Sequence, residues 1–397
     1  MLNIVGLLCL LYAGGLWIYA NRALRHNELK LTKRMKFPEI AILIPARNES
    51  AVIEGLLKSI VKQTVKVKMR NVYVIVETLH DPTITICKKY GCSVILRERL
   101  DLQRKGYALD EALRQILAAE RHYDLYFIFD ADNRLSPDYL REMLLVYHQG
   151  YDMATGYRHA KNNNQNVIAA VSALTFTMIN TLGNKNRIRY GGNIIFSGTG
   201  CYIDGKLIEQ WQGWPFHSLT EDYEMSLYAI LHNISTFYDE KAVFYDEQPT
   251  RYLQTVAQRV RWIKGYFSAR AQYIPQMRKR EVGSNQGSLI KECAGVKPVI
   301  FALIGVVCLL FNDIVGIFLR PNWGMILTSL IGILAVVYIV LMLITVALIK
   351  KEKMKFSTRI KWQTVLFNPI YLLTYIYCAL KALVVRNVEW KPIEHGG

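Results

Sequence analysis

The stretch LYFIFDAD, residues 125–132, is an apolar, β-prone run that stops at two aspartates one residue apart. A short apolar run ended by polar residues reads as a buried strand. The same pattern lies upstream at Ile40–Ile44, closed by Pro45, at Val72–Val76 and at Val94–Leu96. Between these runs the apolar spacing turns helical, over residues 50–63, Thr83–Tyr90 and Tyr107–Ala119. Strand and helix in alternation predict an α/β domain with a largely parallel sheet and helices on both faces. Ligands of such sheets bind beyond the carboxyl ends of the strands. The polar residues that follow each strand are therefore the candidates for chemistry.

Asp130 and Asp132 come directly after a strand, where two carboxylates can share a hard cation with diphosphate oxygens. Taken alone, the triplet is also what a turn or a helix cap before Ser136-Pro137 looks like. Pro45-Ala46-Arg47-Asn48-Glu49 follows the first strand and leads into a helix, whose N-terminus can meet phosphate or nucleotide. Glu77 and Asp81, after the Val72–Val76 strand, can accept hydrogen bonds from a base N–H. Arg104-Lys105-Gly106 offers cations to a diphosphate at the start of the next helix. In Ser197-Gly198-Thr199-Gly200 two glycines allow close backbone approach. Thr220-Glu221-Asp222 opens an amphipathic run, and Asp222 can take a proton from a hydroxyl. The same tripeptide also reads as a helix N-cap, and both roles can hold together. Gln258-Arg259-Val260-Arg261-Trp262 lies in a basic amphipathic segment, about 254–273, that suits a membrane interface. There Arg261 can clamp a diphosphate and Trp262 can stack on a sugar.

Around this domain lie long apolar runs. Residues 2–20 carry no charge and have no basic region before them, which predicts a retained helix rather than a cleaved signal. Arg22, Arg25, Lys30, Lys33, Arg34 and Lys36 follow, which places that side in the cytoplasm. Val299–Leu319, Met325–Ile349 and Trp362–Val385, the last with Pro369 as a kink, predict three further spans. Lys350, Lys351, Lys353 and Lys355 after the second of these put that end inside as well. The chain is 52% hydrophobic and carries a formal charge of +17, with no zinc-finger spacing or RNP-like motif to point to nucleic acid. The excess charge suits anionic lipid and a diphosphate substrate. Seven cysteines without a C-x-x-C pair predict no disulfide framework and a reducing compartment.

Taken in order, PARNE, an acid after the next strand, RKGYAL, DAD, SGTG, TED and QRVRW, flanked by membrane helices, resemble glycosyltransferase family 2. The match is to its membrane-bound polysaccharide synthase branch, which includes cellulose, chitin, hyaluronan and poly-N-acetylglucosamine synthases. It spans roughly residues 38–270. The resemblance implies a GT-A, Rossmann-like fold and inversion at the anomeric carbon. It implies Asp222 as catalytic base beside Glu221, and Asp132 with Asp130 at a divalent metal, Mn2+ or Mg2+. It implies a donor side of Pro45, Arg47, Glu49, Glu77, Asp81, Lys105, Asp130 and Arg261, although Glu77 stands where the family usually has an aspartate. The acceptor side comprises Gly198, Thr199, Gly200, Gln258 and Trp262. The expected organisation is a membrane helix at 1–21, a cytoplasmic domain at 37–250, interfacial helices at 251–295 and three membrane helices at 296–386. The expected reaction moves a sugar from UDP-N-acetylglucosamine or UDP-glucose to a growing polysaccharide at the plasma membrane. A homo-oligomer or an accessory export subunit would complete a channel. Two alternatives stay open: transfer of one or a few sugars to a lipid or membrane-bound acceptor, and an inactive sugar-nucleotide-binding subunit.

Overall fold

The computed structural model of the chain describes residues 2–20, 37–189, 192–283 and 323–385, together with 301, 304–311 and 315. Among these residues eight strands form one sheet: β1 (Ile40–Pro45), β2 (Val72–Val76), β3 (Ser93–Leu96), β4 (Leu125–Ile128), β5 (Arg134–Leu135), β6 (Met153–Ala160), β7 (Cys201–Asp204) and β8 (Thr236–Asp246). Their order is β3-β2-β1-β4-β7-β6-β8-β5. Strands β1 to β4 pair in parallel, as their continuous apolar runs predict for strands covered on both faces. Every residue of β2 is buried, and each fully buried Val, Ile or Leu contributes about 1.5–3 kcal/mol.

Alternation along β4 divides the core. Leu125 and Phe127 pack under α2 (Ile53–Val61), α3 (Thr83–Tyr90) and α5 (Tyr139–Tyr147). Tyr126 and Ile128 pack on the other face, under α4 (Lys105–Ala118), α8 (Gly205–Trp211) and α9 (Glu221–His232). The helices thus lie on both faces, as expected.

The expectation of a largely parallel sheet holds for only one half. β7 runs antiparallel to both β4 and β6, and β5 antiparallel to β8. The cause is the excursion between β6 and β7. The chain leaves the sheet after Ala160 and forms α6 (Val167–Met178), a π-helical turn (Ile179–Asn184) and α7 (Lys185–Arg189). It returns through Ser197–Gly200 to the same end of the sheet, so β7 must run back. Register then sets Cys201 beside Ile128, which brings the glycine loop against the carboxyl end of β4. β6 and β8 are parallel and end together, with Ala160 opposite Asp246.

Among the described residues, three helical stretches are long and apolar enough to cross a membrane: Val167–Arg189, Leu327–Lys351 and Thr358–Val384. The last two belong to α11 (Trp323–Lys351) and α12 (Thr358–Val384), which contains Pro369. The first is a correction to the sequence reading, which placed no such helix inside residues 37–250. It is mostly buried: Leu174 packs with Leu348 and Val365, and Ser172 Oγ hydrogen-bonds Tyr371 of α12 at 3.2 Å. The predicted N-terminal helix is α1 (Leu2–Ala20). It lies so close to the helical residues 304–311 that a Cβ on Gly6 would sit 2.9 Å from the Gly305 carbonyl. The rest of the predicted 299–319 span lies outside the described residues. The amphipathic segment forms one long helix, α10 (Tyr252–Gly283). It packs on α9 and α12.

Candidate active site

Strand ends and loop returns converge at the carboxyl edge of β4. The Asp130 backbone N–H donates to Thr199 Oγ1 at 2.9 Å, so the DAD turn and the glycine loop are tied directly. Gly198 and Gly200 have φ of 81° and 61°, a left-handed backbone that favours glycine. A Cβ on Gly200 would lie 2.2 Å from the Phe244 ring. Lys105, the first residue of α4, forms an ion pair with Asp130 and donates to the Gly198 carbonyl at 2.6 Å. Burial works against its charge, but Asp130 and Glu221 together raise its pKa above the usual lysine value.

Asp132 is buried, and its two carboxylate oxygens accept from Asn133 Nδ2 at 3.1 Å and from the Glu247 N–H at 2.9 Å. Its carbonyl accepts from Lys161 Nζ at 2.6 Å. Among the described residues, no group of three or more His, Cys, Asp and Glu side chains assembles as a complete metal cage. Two adjacent carboxylates, one half-buried and one buried, are an incomplete, oxygen-only set. Such a set suits a hard cation that takes its other ligands from phosphate and water.

Glu221 and Asp222 open α9, whose N-terminal dipole favours acids. A Cβ on Gly198 would meet Asp222 Oδ2 at 3.3 Å, so the base candidate faces the same loop that Lys105 holds. Burial pushes the Asp222 carboxyl above its ordinary value, against the Tyr223 N–H, Lys105, Arg261 and Arg158. Glu221 is pushed up to about 7, first by burial and then by the Asp222 charge. Carboxylates this close titrate as a pair. Thr220 occupies the cap position but makes no side-chain cap bond, contrary to the N-cap reading; its Oγ1 is buried without a hydrogen-bond partner among the described residues. Instead Glu224 Oε2 accepts the Ser218 N–H at 3.0 Å.

α10 passes over this cluster. Arg261 Nη1 donates to the Leu219 carbonyl at 3.3 Å, just before the acidic pair. Trp262 meets Phe176 of α6 edge-on, with ring centroids 5.7 Å apart. Gln258 lies one turn earlier on the same helix.

The remaining donor-side candidates form a second group at the ends of β1 and β2. Arg47 pairs with Glu77 at 2.9 Å, and Arg97 grips its other oxygen at 3.0 Å. Asp81 accepts the N–H groups of Asn48 and Thr83 at 2.9 and 2.8 Å, which shapes the turn after Pro45. The Glu49 N–H donates to Thr83 Oγ1 at 3.0 Å. Asp81 is thus engaged in holding the loop, and Glu77 is oriented by two guanidinium groups.

Sequence reasoning missed Arg158 and Asp246. Arg158 donates to Asp246 at 2.6 Å and to the Ser197 carbonyl at 2.9 Å, with its guanidinium 3.8 Å from the Phe176 ring centroid. Asp246 is pushed up to about 6 by burial, even with Arg158 beside it. Asp246 ends one long strand and Arg158 lies just before the end of another, and that was the one available signal.

A strand-end acidic pair, a glycine loop, a cation at a helix N-terminus and a half-buried carboxylate pair thus converge at the carboxyl edge of a Rossmann-like sheet, as candidates for holding a nucleotide-diphosphate donor. The chain belongs to the glycosyltransferase like family 2, whose model matches residues 38–265. It is 26% identical over 255 residues to the probable glycosyltransferase YdaM of Bacillus subtilis (strain 168), covering 60% of this chain and 58% of that protein. It is 23% identical over 270 residues to the beta-monoglucosyldiacylglycerol synthase of Nostoc sp. (strain PCC 7120 / SAG 25.82 / UTEX 2576), covering 66% of this chain and 56% of that protein. The match thus spans just over half the length of these curated relatives. Among solved structures, the mannosyltransferase PcManGT from Pyrobaculum calidifontis in complex with GDP-Man and Mn2+ superposes with a TM-score of 0.60 at 16% identity, covering 98% of this chain and 100% of that one. At that identity the likeness shows the fold.

Proposed function

We propose that this family 2 glycosyltransferase, embedded in a plasma membrane with its sheet domain in the cytoplasm, transfers a hexose with inversion from a UDP-sugar to a hydroxyl of a membrane-lipid acceptor. The observation that carries this reading is Asp222, a half-buried carboxylate of raised pKa that faces Gly198, whose carbonyl also binds the donor-side Lys105. Asp222 takes the proton of the acceptor hydroxyl as its oxygen attacks the anomeric carbon and the bond to UDP breaks. Lys105 and Arg261 face the negative charge that builds on the leaving diphosphate. Asp130 and Asp132 would hold a divalent cation, Mn2+ or Mg2+, which neutralises the diphosphate when bound.

A lipid acceptor is supported by α6. This apolar helix packs against α12 and sends Phe176 to Arg158 and Trp262, so an apolar wall leads from the membrane helices to the cluster. The relative from Nostoc, named as a glycolipid synthase, points the same way. The second reading, processive transfer to a polysaccharide, is favoured by Gln258-Arg259-Val260-Arg261-Trp262 on α10.

The test uses the full chain in nanodiscs containing diacylglycerol, with radiolabelled UDP-glucose or UDP-N-acetylglucosamine and Mn2+. Label is expected in a single organic-soluble glycolipid. High-molecular-weight, water-soluble label would establish the polysaccharide reading instead. Chelation by EDTA is expected to lower the rate by about 100-fold or more, with recovery on added Mn2+. Full activity in EDTA would exclude the acidic pair from metal binding.

The raised pKa values carry a further expectation. A base must be deprotonated, so kcat/KM is lost as pH falls through the folded-state pKa of the pair. The acid limb should lie above the ordinary carboxylate value of about 4. Glu221→Gln removes a neighbouring negative charge and should move that limb to lower pH. A limb that stays in place would show that Glu221 does not sense the base.

A further inference from the structure

Arg259 lies within the QRVRW stretch but takes no part in the cluster described above. It is 1% exposed, one of the largest fully buried side chains in the protein. Its guanidinium lies 4.2 Å from the Tyr371 ring centroid and 4.8 Å from that of Tyr375, both on α12. Nη1 donates to Thr374 Oγ1 at 2.7 Å, and Nη2 donates to Thr255 Oγ1 at 3.2 Å on its own helix. A buried guanidinium that stacks on rings and is hydrogen-bonded on both sides fixes orientation in a way a lysine cannot.

Helical spacing divides α10 into two working faces. Val256, Arg259, Val260 and Ile263 lie at i, i+3, i+4 and i+7 and meet α12 at Cys378 and Ala382. Gln258, Arg261, Trp262 and Gly265 lie on the opposite side. Gly265 approaches the base-bearing loop so closely that a Cβ there would lie 2.4 Å from Thr220 Oγ1. α10 is therefore clamped between a membrane-type helix and the residues just before Glu221–Asp222.

We propose that Arg259 is a positioning residue that sets α10 on α12 and thereby fixes how far Arg261 and Trp262 stand from the acidic pair. The inference rests on the reading of Asp222 as the base. Arg259 acts through Arg261 and does not touch the reacting atoms. The charged groups facing the pair are Lys105 from α4, Arg158 from β6 and Arg261 from α10, with the Cys201 thiol from β7 nearby. Of these cations only Arg261 rides on α10, so a shifted α10 changes its field and leaves the other two in place.

The experiment measures kcat, donor KM and the pH dependence of kcat/KM for the full chain in nanodiscs. The variants are Arg259→Met, Arg259→Lys, Arg261→Met and the double Arg259→Met/Arg261→Met. Arg261→Met removes a cation that favours the carboxylate, so its acid limb should rise by about one pH unit. Arg259→Met should move the limb in the same direction by roughly half as much, and lower kcat by about tenfold or more. Donor KM should change by less than about threefold. The double variant should show no limb displacement beyond that of Arg261→Met. Arg259→Lys keeps a charge over the rings but cannot bond Thr255 and Thr374 together, so it should return the limb part of the way.

If Arg259→Met does not fold, Tyr375→Leu, which removes one ring of the clamp, takes its place with the same expected displacement. A limb at the wild-type pH in the folded variant would overturn the inference, because a merely structural role lowers thermal stability without moving the base's titration. Asp222→Asn measured alongside separates the two levels. An inactive Asp222→Asn with an unmoved limb in the clamp variant overturns the inference alone, whereas an active Asp222→Asn removes the base reading and the inference with it.

Discussion

Asp222→Asn should lower kcat by roughly 10²- to 10⁴-fold, the contribution of a positioned general base. The substitution is nearly isosteric. Its amide oxygen can still accept the Tyr223 N–H that Asp222 Oδ1 now accepts at 2.8 Å, so the first turn of α9 keeps its geometry. An amide cannot take the acceptor's proton. Stability should not fall. Burial disfavours the Asp222 charge in the folded state, so above the pair's titration range an uncharged side chain removes that penalty. The thermal midpoint at pH 8 is therefore expected to match or exceed that of the wild type. UDP binding, measured by calorimetry with Mn2+ present, should be nearly unchanged, because a base that serves the acceptor hydroxyl does not hold the diphosphate. Near-normal turnover would remove Asp222 from the mechanism. Residual activity that disappears only when Glu221→Gln is added would transfer the role to its neighbour.

The two halves of the site were not equally legible in the sequence. The edge formed by β1, β2 and β4 could be read because its strands are buried on both faces and appear as unbroken apolar runs with a polar stop. Pro45 and Asp130 lie at or beside those stops, and Lys105 opens the helix that follows β3. Arg158 and Asp246 could not be read, because they meet only through the parallel pairing of β6 and β8, whose ends are 86 residues apart at Ala160 and Asp246. No local pattern encodes a partner at that range. Glu77 shows a different limit. Its place after a strand suggested a free acceptor for a base, but two arginines from different loops, Arg47 and Arg97, hold both its oxygens. Arg259 shows a third. In an amphipathic basic helix an arginine reads as surface, and only the tyrosines and threonine of α12 give it a buried place. The apolar helix α6 was passed over because the sequence reading treated residues 37–250 as one soluble unit. Its partners are Leu348, Val365 and Tyr371, from the C-terminal helices.

Lys105→Met should lower kcat/KM for the donor by roughly 10²- to 10³-fold, with a rise in donor KM making up part of it. Three features place the ammonium so that no neighbour can replace it. Lys105 is the first residue of α4, so the open N–H groups and dipole of that helix end reinforce its charge toward an anion. Gly106 then lies against the backbone of Phe216, where a Cβ would stand only 2.1 Å from the carbonyl oxygen. Tyr107 stacks on His217 with centroids 4.4 Å apart, so the helix end cannot slide to bring Arg104 into the gap. Loss of the cation leaves Asp130 facing the donor without its ion pair and removes a charge that favours ionised Glu221 and Asp222. The acid limb of kcat/KM should therefore move to higher pH, the same sign as for Arg261→Met. The limb cannot belong to Lys105 itself, whose pKa is raised and which stays charged throughout the assay range. Lys105→Arg should recover only part of the loss, since a planar fork does not fill the place of a compact ammonium between Asp130 and the Gly198 carbonyl. Calorimetry of UDP with Mn2+ decides between this account and a folding defect. Weakened binding at an unchanged thermal midpoint assigns Lys105 to the diphosphate. Unchanged binding would make the ion pair with Asp130 a brace for the DAD turn, and the donor-side reading of α4 would fall.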